Sequence, residues 1–272
     1  MNKITVAVHG ALGKMGREVI SAVSVDPGLS LTGAADIKAI RDYLELPGDG
    51  GRIPLHKDLS SLLDVCQPQV VVDFSLAEAA IRAAETAIAR GVNMVIGTSG
   101  LSDENLKELD RLAGEKGVGV VIAPNFAIGA VLMIHLARIA ARYFDFAEIT
   151  ELHHNEKVDA PSATAIATAR AMREARDKPF EHPQTGKENV KGTRGGQLEG
   201  ISIHSVRLPG IVANQEVIFG GKGQTLHIRH ETLGRECFMP GVILAVKEVI
   251  KHKGLVFGLD SLLQLGVDNE NI

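Results

Sequence analysis

One N-terminal feature restricts the fold more than any other: a short strand followed by a glycine-rich turn and a helix. Residues 4–8 are an apolar, β-branched run, and residues 17–25 have helical apolar spacing. Glycines occupy positions 10, 13 and 16 between them. Glycine permits a tight turn and a close approach of backbone amides to a pyrophosphate, and the helix N-terminus adds partial positive charge. The pattern therefore predicts a dinucleotide-binding unit.

A second strand, residues 29–35, is followed by Asp36, twenty residues beyond Gly16. An acidic side chain at this distance can accept hydrogen bonds from the adenosine ribose of a dinucleotide. The alternative is an ordinary strand-to-helix turn with a surface aspartate. We favour the ribose contact because the strand, the turn and the helix precede it in the expected order.

Three further apolar strands, within residues 70–75, 93–100 and 119–126, each end in small or polar residues. Helical segments at 77–90 and 103–115 would connect them as right-handed crossovers in a doubly wound parallel sheet. The carboxyl ends of parallel strands border the ligand crevice, although such residues can also be simple turn formers. The predicted cofactor-binding residues are Gly10, Ala11, Leu12, Gly13, Lys14, Met15, Asp36, Lys38, Phe74, Gly97, Thr98, Ser99, Ala123, Pro124, Asn125 and Phe126.

The pattern changes after Phe126. Helices are predicted at 128–143 and 163–176, a strand at 148–153, and strand-like alternation from 199 to 232 with a hairpin turn at 220–223. The fold class is therefore α/β: a Rossmann-like doubly wound parallel sheet, plus an α+β domain with an open mixed, largely antiparallel sheet. Residues 1–126 and 237–272 form the predicted dinucleotide-binding domain, with a last helix at 242–252, and residues 127–236 form the substrate-binding and oligomerisation domain.

Two helices cover only one face of the second sheet, so a homo-oligomer that pairs sheets across subunits is expected. Residues 177–197 are rich in Pro, Gly, Lys and Asn, and this segment is too long for a simple connection. It could be a lid or an oligomer arm.

Charge and composition exclude several functional classes. The formal net charge is −4 without a long basic run, which argues against a nucleic-acid partner. No apolar stretch approaches the roughly 18 residues of a membrane span. Cys66 and Cys237 fit neither a disulfide framework nor a metal spacing, and the chain enters a strand pattern at once without a signal segment. A reducing cytoplasm is the simplest expectation.

Polar chemistry is concentrated in residues 151–165, ELHHNEKVDAPSATA. Pro161 suits the first turn of a helix, whose free amides would bind an anion, and Lys157 adds positive charge. His153 and His154 arrive just upstream, where histidine can deliver a proton near neutral pH. An anionic small molecule, most naturally a carboxylate, fits this arrangement.

Two alternatives to an anion site remain. The histidines and Asp159 are metal-ligand types, but adjacent strand histidines seldom converge on one ion and the lysine would repel it, so no metal is predicted. The run could also be a structural helix cap with surface histidines. Asp159 itself is expected to be a cap or a lysine partner.

The 151–165 run closely resembles the signature of the 4-hydroxy-tetrahydrodipicolinate reductase (dihydrodipicolinate reductase) family. The resemblance extends across nearly the whole chain, through the turn from Gly10 to Gly16, residues 72–75 (VDFS), 97–100 (GTSG) and 123–126 (APNF), and Arg235. It implies reduction of the dehydrated ring of 4-hydroxy-2,3,4,5-tetrahydrodipicolinate by NADH or NADPH, in lysine and diaminopimelate biosynthesis. It also implies a cytoplasmic homotetramer joined through the second sheet.

The resemblance implies residue roles as well. His153 would be the proton donor and Lys157 the second acid/base or activating group. The implied substrate contacts, to a dicarboxylate, are His154, Ser162, Ala163, Thr164 and Arg235.

Two positions depart from the family pattern. Ala163 replaces the glycine of a Ser-Gly-Thr triplet, which adds a methyl group where the backbone would meet a carboxylate. Ile37 follows Asp36 where dual-specificity members often have a basic residue, although Lys38 comes next and could reach a 2′-phosphate. Because Asp36 would repel that phosphate, we expect a preference for NADH.

Two other functions compete with the reductase interpretation. One is another small two-domain dehydrogenase acting on an amino or imino acid, of an aspartate or diaminopimelate type, against which the 151–165 run argues. The other is a cofactor-binding regulator or inactive paralogue, which would fit an altered Ala163. Retention of His153, His154 and Lys157 together disfavours it.

Overall fold

The computed structural model describes residues 2–48 and 50–265. Residues 266–272, the end of the predicted first domain, lie outside this part of the chain. The described residues divide into two compact units: one runs up to Ile128 and resumes at Arg235, and the other is Gly129–Gly234. The boundaries expected from the sequence, 126/127 and 236/237, differ from this division by two residues at each end.

The secondary-structure elements alternate between strands and helices in the first part of the chain. In order these are β1 (Ile4–His9), α1 (Lys14–Val25), β2 (Leu29–Ala35), β3 (Tyr43–Glu45), β4 (Arg52–His56), α2 (Leu59–Cys66), β5 (Val70–Asp73), α3 (Ala77–Ala89), β6 (Asn93–Ile96), α4 (Asp103–Lys116) and β7 (Gly119–Ile122). There follow α5 (Ile128–Ala140), β8 (Phe146–His153), α6 (Ala163–Glu174), β9 (Gly196–Leu198), β10 (Ile201–Arg207), β11 (Ala213–Gly221) and β12 (Gln224–Thr232). A 3-10 helix (Arg235–Phe238), α7 (Met239–Val249), β13 (Gly254–Phe257) and α8 (Leu259–Leu262) complete the described chain.

The sheet of the first unit has the order β13-β7-β6-β5-β1-β2-β4-β3. Its pairings are parallel except that between β3 and β4. The continuous apolar runs of β1, β5 and β7 are buried on both faces, as a helix-covered parallel sheet requires. The strand order reverses at β1, between β5 and β2, so the ligand crevice of such a sheet is expected at the carboxyl ends of these strands. The predicted doubly wound fold is confirmed.

The glycine turn lies at this reversal point. Gly10 has a φ of +75°, in the left-handed region that favours glycine. A Cβ added to Gly16 would lie 2.2 Å from the carbonyl oxygen of Gly10, so only glycine allows α1 to pack this closely on the turn. Helix α1 begins at Lys14 rather than at residue 17, because Gly13 is its N-cap and the second half of the turn is already helical.

The second unit contains the sheet β12-β11-β8-β10-β9, in which β8 and β10 are parallel and the other pairings are antiparallel. Apolar side chains of the inner face, including Ile149, Ile203, Val217 and Phe219, form one core with residues of α5 and α6. This confirms the predicted open, mixed, largely antiparallel sheet.

Several element ends differ from the prediction. Helix α5 ends at Ala140 rather than at residue 143, because the amides of Arg142 and Tyr143 bond to carbonyl groups three residues back and tighten the last turn. Helix α6 ends at Glu174 rather than at 176, where the Arg176 side chain instead donates to the Ala141 carbonyl oxygen. Strand β8 begins two residues early, and α7 begins at Met239 rather than at 242 because Pro240 is accommodated in its first turn.

The sequence analysis missed six short elements and part of a seventh. Strands β3, β4 and β13, helices α2 and α8, and the 3-10 helix were not predicted, and β9 overlaps the end of the segment 177–197, which was expected to be a lid or an oligomer arm. Short elements contain too few residues for a clear apolar period, and their pairing partners determine whether they form.

Candidate active site

A cavity of about 1000 Å³ lies in the first unit at the reversal of strand order. Its walls include Gly10 and Gly13 of the turn, Asp36 and Lys38 after β2, and Phe74 after β5. The fold therefore brings the predicted turn, the predicted ribose contact and one predicted strand end to a single cavity. Of the other turn residues, Ala11 is buried, Leu12 and Met15 are half-buried and Lys14 is exposed.

Asp36 is tied directly to the glycine turn. Its carboxylate accepts hydrogen bonds from the backbone amides of Leu12 (2.8 Å) and Lys38 (2.9 Å) and is almost fully buried. Ile37 and Lys38 are exposed at the same place. The negative charge at the end of β2 is thus held in a fixed position beside the turn.

A second buried carboxylate, Asp73, organises the end of β5. It accepts hydrogen bonds from the hydroxyl groups of Ser75 (3.0 Å) and Thr98 (3.2 Å), and it contacts Nδ1 of His9. Sequence reasoning selected Thr98 but missed His9. Its position could have revealed it, because His9 and Asp73 are each the last residue of an apolar strand. The two strands pair in parallel, with these residues opposite each other.

An aromatic pair borders the same strand ends. The rings of Phe74 and Phe126 have centroids 5.8 Å apart, and a Cβ at Gly97 would lie 2.1 Å from Cε1 of Phe74. Gly97 is therefore required for the Phe74 ring to occupy this position. Of the remaining predicted residues here, Ala123 is buried, Ser99 and Pro124 are exposed, and Asn125 accepts a hydrogen bond from the Ala127 amide as a turn former does.

The second unit has its own polar centre, at Glu151 on β8. The Glu151 side chain is fully buried, and both of its oxygens accept hydrogen bonds from Arg207, at 2.8 and 3.0 Å. Nδ1 of His153 lies 2.5 Å from Oε2 of the same carboxylate. Burial raises the pKa of this carboxyl, but hydrogen bonds from His153, Arg207 and Ser205 outweigh burial and hold the pKa at about 2.

Pairing between strands creates this centre. In the parallel register of β8 and β10, His153 lies opposite Arg207. On the other side of β8, His153 lies opposite Ala213 of β11. The sequence analysis missed the roles of Glu151 and Arg207, because Arg207 is brought to the site only by strand pairing.

Lys157 lies in the turn after β8 and is paired with Asp159. Its Nζ donates to Oδ1 of Asp159 at 2.6 Å, and this hydrogen bond lowers the pKa of the carboxyl. Asp159 is therefore a lysine partner, one of its two expected roles. The Asp159 carbonyl oxygen also accepts a hydrogen bond from Arg207 at 2.6 Å, which links this turn to Glu151. His154 is exposed just beyond the strand end.

The start of α6 differs from the prediction in one respect. Pro161 is not in the first helical turn, because Ser162 is the N-cap and its hydroxyl accepts a hydrogen bond from the Ala165 amide at 3.2 Å. Ala163 and Thr164 are the first helical residues, so their amides have no intrahelical partner and suit an anion. Ser162 is buried, whereas Ala163 is exposed.

Arg235, a predicted substrate contact, is exposed on the 3-10 helix in the first unit.

Within the described residues, no group of three or more His, Cys, Asp or Glu side chains could hold a metal ion. None of the helices in this part of the chain is both long and apolar enough to cross a membrane.

A doubly wound sheet with a glycine turn at its reversal point, together with a second unit in which a histidine contacts a buried carboxylate, is typical of an oxidoreductase that uses a nicotinamide dinucleotide. Two family models match: "Dihydrodipicolinate reductase, N-terminus" over residues 4–126 and "Dihydrodipicolinate reductase, C-terminus" over residues 129–263. The chain belongs to the dihydrodipicolinate reductase family.

Relatives and solved structures agree with this assignment. Two proteins named 4-hydroxy-tetrahydrodipicolinate reductase, from Dehalococcoides mccartyi and Syntrophomonas wolfei, are each 50% identical to this chain. The first alignment covers 97% of this chain and 100% of the relative, and the second covers 96% and 99%. A dipicolinate-bound dihydrodipicolinate reductase from Paenisporosarcina sp. is 39% identical, with a TM-score of 0.85 over 95% of this chain and 99% of that chain. A probable dehydrogenase from Thermotoga maritima, 10% identical, shares the fold with a TM-score of 0.66 over 96% of this chain and 93% of that chain.

The low pKa of Glu151 predicts a specific acid sensitivity. A carboxyl whose pKa falls from its ordinary 4.5 to about 2 on folding adds stability that is complete above pH 4.5 and is lost as the pH falls towards 2. The contribution is on the order of 3 kcal/mol. Urea unfolding between pH 7 and pH 3 should therefore show a smaller acid-induced loss of unfolding free energy in Glu151→Gln than in the wild type. Glu85→Gln, at an exposed position on α3, serves as the control and should keep the wild-type pH dependence. The prediction would be contradicted if the unfolding free energy fell with pH as steeply in Glu151→Gln as in the wild type.

Proposed function

We propose that this chain catalyses the NAD(P)H-dependent reduction of 4-hydroxy-2,3,4,5-tetrahydrodipicolinate to 2,3,4,5-tetrahydrodipicolinate, with release of water, in lysine and diaminopimelate biosynthesis. The observation that carries the proposal is the hydrogen-bonded set of Glu151, His153 and Arg207, which Arg207 links to the turn that carries Lys157 and Asp159. It occurs in a chain that is 50% identical over 97% of its length to a protein named for this reaction.

The first unit binds the dinucleotide. The amides of the glycine turn face the pyrophosphate position, and Asp36 is fixed where the adenosine ribose would lie. Phe74, Thr98 and Phe126 then border the nicotinamide half. The bound cofactor supplies a hydride, so the task of these residues is to hold and orient it.

The second unit supplies a proton and binds the substrate. Because Nδ1 of His153 donates to Glu151, Nε2 is the ring atom left to exchange a proton with the substrate. Lys157 adds positive charge that polarises or protonates the ring nitrogen. His154, Ser162, Ala163 and Thr164 bind the carboxylates of the substrate, and the dipicolinate bound to the Paenisporosarcina reductase supports a dicarboxylate ligand. Arg235, which belongs to the first unit, is a further proposed substrate contact. The exposed Ala163 methyl adds bulk at this contact.

We further propose a cytoplasmic homotetramer joined through the sheet of the second unit. Strand β12 is an edge strand, and most of its side chains are exposed, so it is open to pairing with another subunit.

Steady-state kinetics test the proposed roles of His153 and Lys157. Substrate is generated in situ by the preceding synthase from pyruvate and aspartate semialdehyde, and NADH oxidation is followed at 340 nm. His153→Gln should lower mainly kcat, by about 10²- to 10⁴-fold, because a general acid is lost. Lys157→Ala should lower kcat and also raise KM, because a positive charge at the anion site is lost.

Matched controls separate these roles from nonspecific damage. His252→Gln and Lys107→Ala change residues of the first unit that do not line the cofactor cavity, and they should leave both constants near the wild-type values. Unchanged rates for both His153→Gln and Lys157→Ala would remove the assignment. No turnover by the wild type with either cofactor, despite NADH binding, would contradict the proposed reaction.

Cofactor preference is tested by comparing kcat/KM for NADH and NADPH. NADH should give the higher value, because the buried Asp36 carboxylate repels a 2′-phosphate. Lys38→Ala should reduce kcat/KM for NADPH alone if the exposed Lys38 side chain reaches that phosphate. A higher kcat/KM with NADPH in the wild type would overturn the preference.

A further inference from the structure

We propose that Glu151, held in place by Arg207, is a positioning residue that fixes the ring orientation and tautomer of His153 for proton transfer. The inference rests on the proposed function, since it concerns how the same site works. It assigns a role to two residues that do not themselves need to touch the substrate.

The first step is the contact between Glu151 and His153. A buried ionised carboxylate only accepts hydrogen bonds, so Nδ1 of His153, 2.5 Å from Oε2, must carry the proton. The Glu151 carboxyl stays ionised at neutral pH because its pKa is held at about 2. Nε2 is then the only ring nitrogen available for exchange with a substrate, and the ring cannot rotate without breaking the Nδ1 bond.

The second step is the contact between Glu151 and Arg207. Arg207 donates to both Glu151 oxygens in a fork, and its Nη2 also donates to the Asp159 carbonyl oxygen. Such a two-point contact fixes the plane of the carboxylate, which a single hydrogen bond would leave free to rotate. The orientation of His153 is therefore determined by a rigid partner that is anchored on β10 and on the turn after β8.

A similar cluster on the same strand provides a control. Glu148 of β8 accepts hydrogen bonds from Arg194 (2.5 Å) and from Nε2 of His204 (2.8 Å). It has the same residue types, but its side chain is one-third exposed, a single hydrogen bond joins it to Arg194, and its histidine is a different one. Glu148→Gln therefore reports what the loss of a carboxylate on β8 does to activity when His153 is left undisturbed.

The test is a double-mutant cycle on kcat, with the NADH-oxidation assay and the full-length protein. Glu151→Gln should lower kcat about 10- to 100-fold with KM changed less than about threefold, as expected for the partner of a functional histidine. In a His153→Gln background the same substitution should lower kcat less than about twofold, because the residue through which Glu151 acts is already absent. Glu148→Gln should keep kcat within about twofold of the wild type.

Two results would overturn the inference. One is an unchanged kcat in folded Glu151→Gln. The other is an equal loss of kcat in the wild-type and His153→Gln backgrounds, which indicates a purely structural role. If Glu151→Gln does not fold, Arg207→Lys takes its place in the same cycle, because lysine cannot form the fork and should give the same dependence on His153. A wild type without turnover would contradict the proposed function instead, so the two failures are distinguishable.

Discussion

The hydrogen-bonded ion pair between Glu151 and Arg207 is the interaction on which the substrate half of this protein depends. A carboxylate without solvent contact is stable only when its oxygens are paired, and here they accept from Arg207 and from His153. The parallel pairing of β8 with β10, in an otherwise antiparallel sheet, brings the two side chains together. The register of β8 and β10 places Arg207 beside His153, where the fork can form. The topology of the sheet and the chemistry of the site are therefore linked.

The first unit uses the same principle in a different setting. Asp73 is fully buried at the end of β5, and His9, Ser75 and Thr98 satisfy its carboxylate. These partners come from the ends of three adjacent strands, so one buried acid holds the strand ends that border the cofactor cavity. Each unit thus has a histidine at a strand end whose Nδ1 contacts a buried carboxylate. In both cases a hydrogen-bonded polar centre fixes the chain at the ends of the strands.

Local sequence signals were sufficient for much of this account. The glycine turn, Asp36, and the helix start at Ser162 each depend on residues close together in the chain, and their physical reasons are visible in the residue types. The partners of the buried acids were not accessible in this way. Arg207 is separated from Glu151 by 56 positions and is brought to it only by strand pairing. Pro161 was misplaced because Ser162 competes for the capping position, and a single residue decides between the two.

The tautomer that Glu151 imposes on His153, with a proton on Nδ1, can be observed by nuclear magnetic resonance of the imidazole nitrogens. In ¹⁵N-histidine protein, the signals of His153 are those absent from His153→Gln. We expect a protonated Nδ1 with a strongly downfield proton in the wild type, and loss of that proton signal in Glu151→Gln. A neutral His153 ring protonated on Nε2 in the wild type, or an unchanged spectrum in Glu151→Gln, would contradict it.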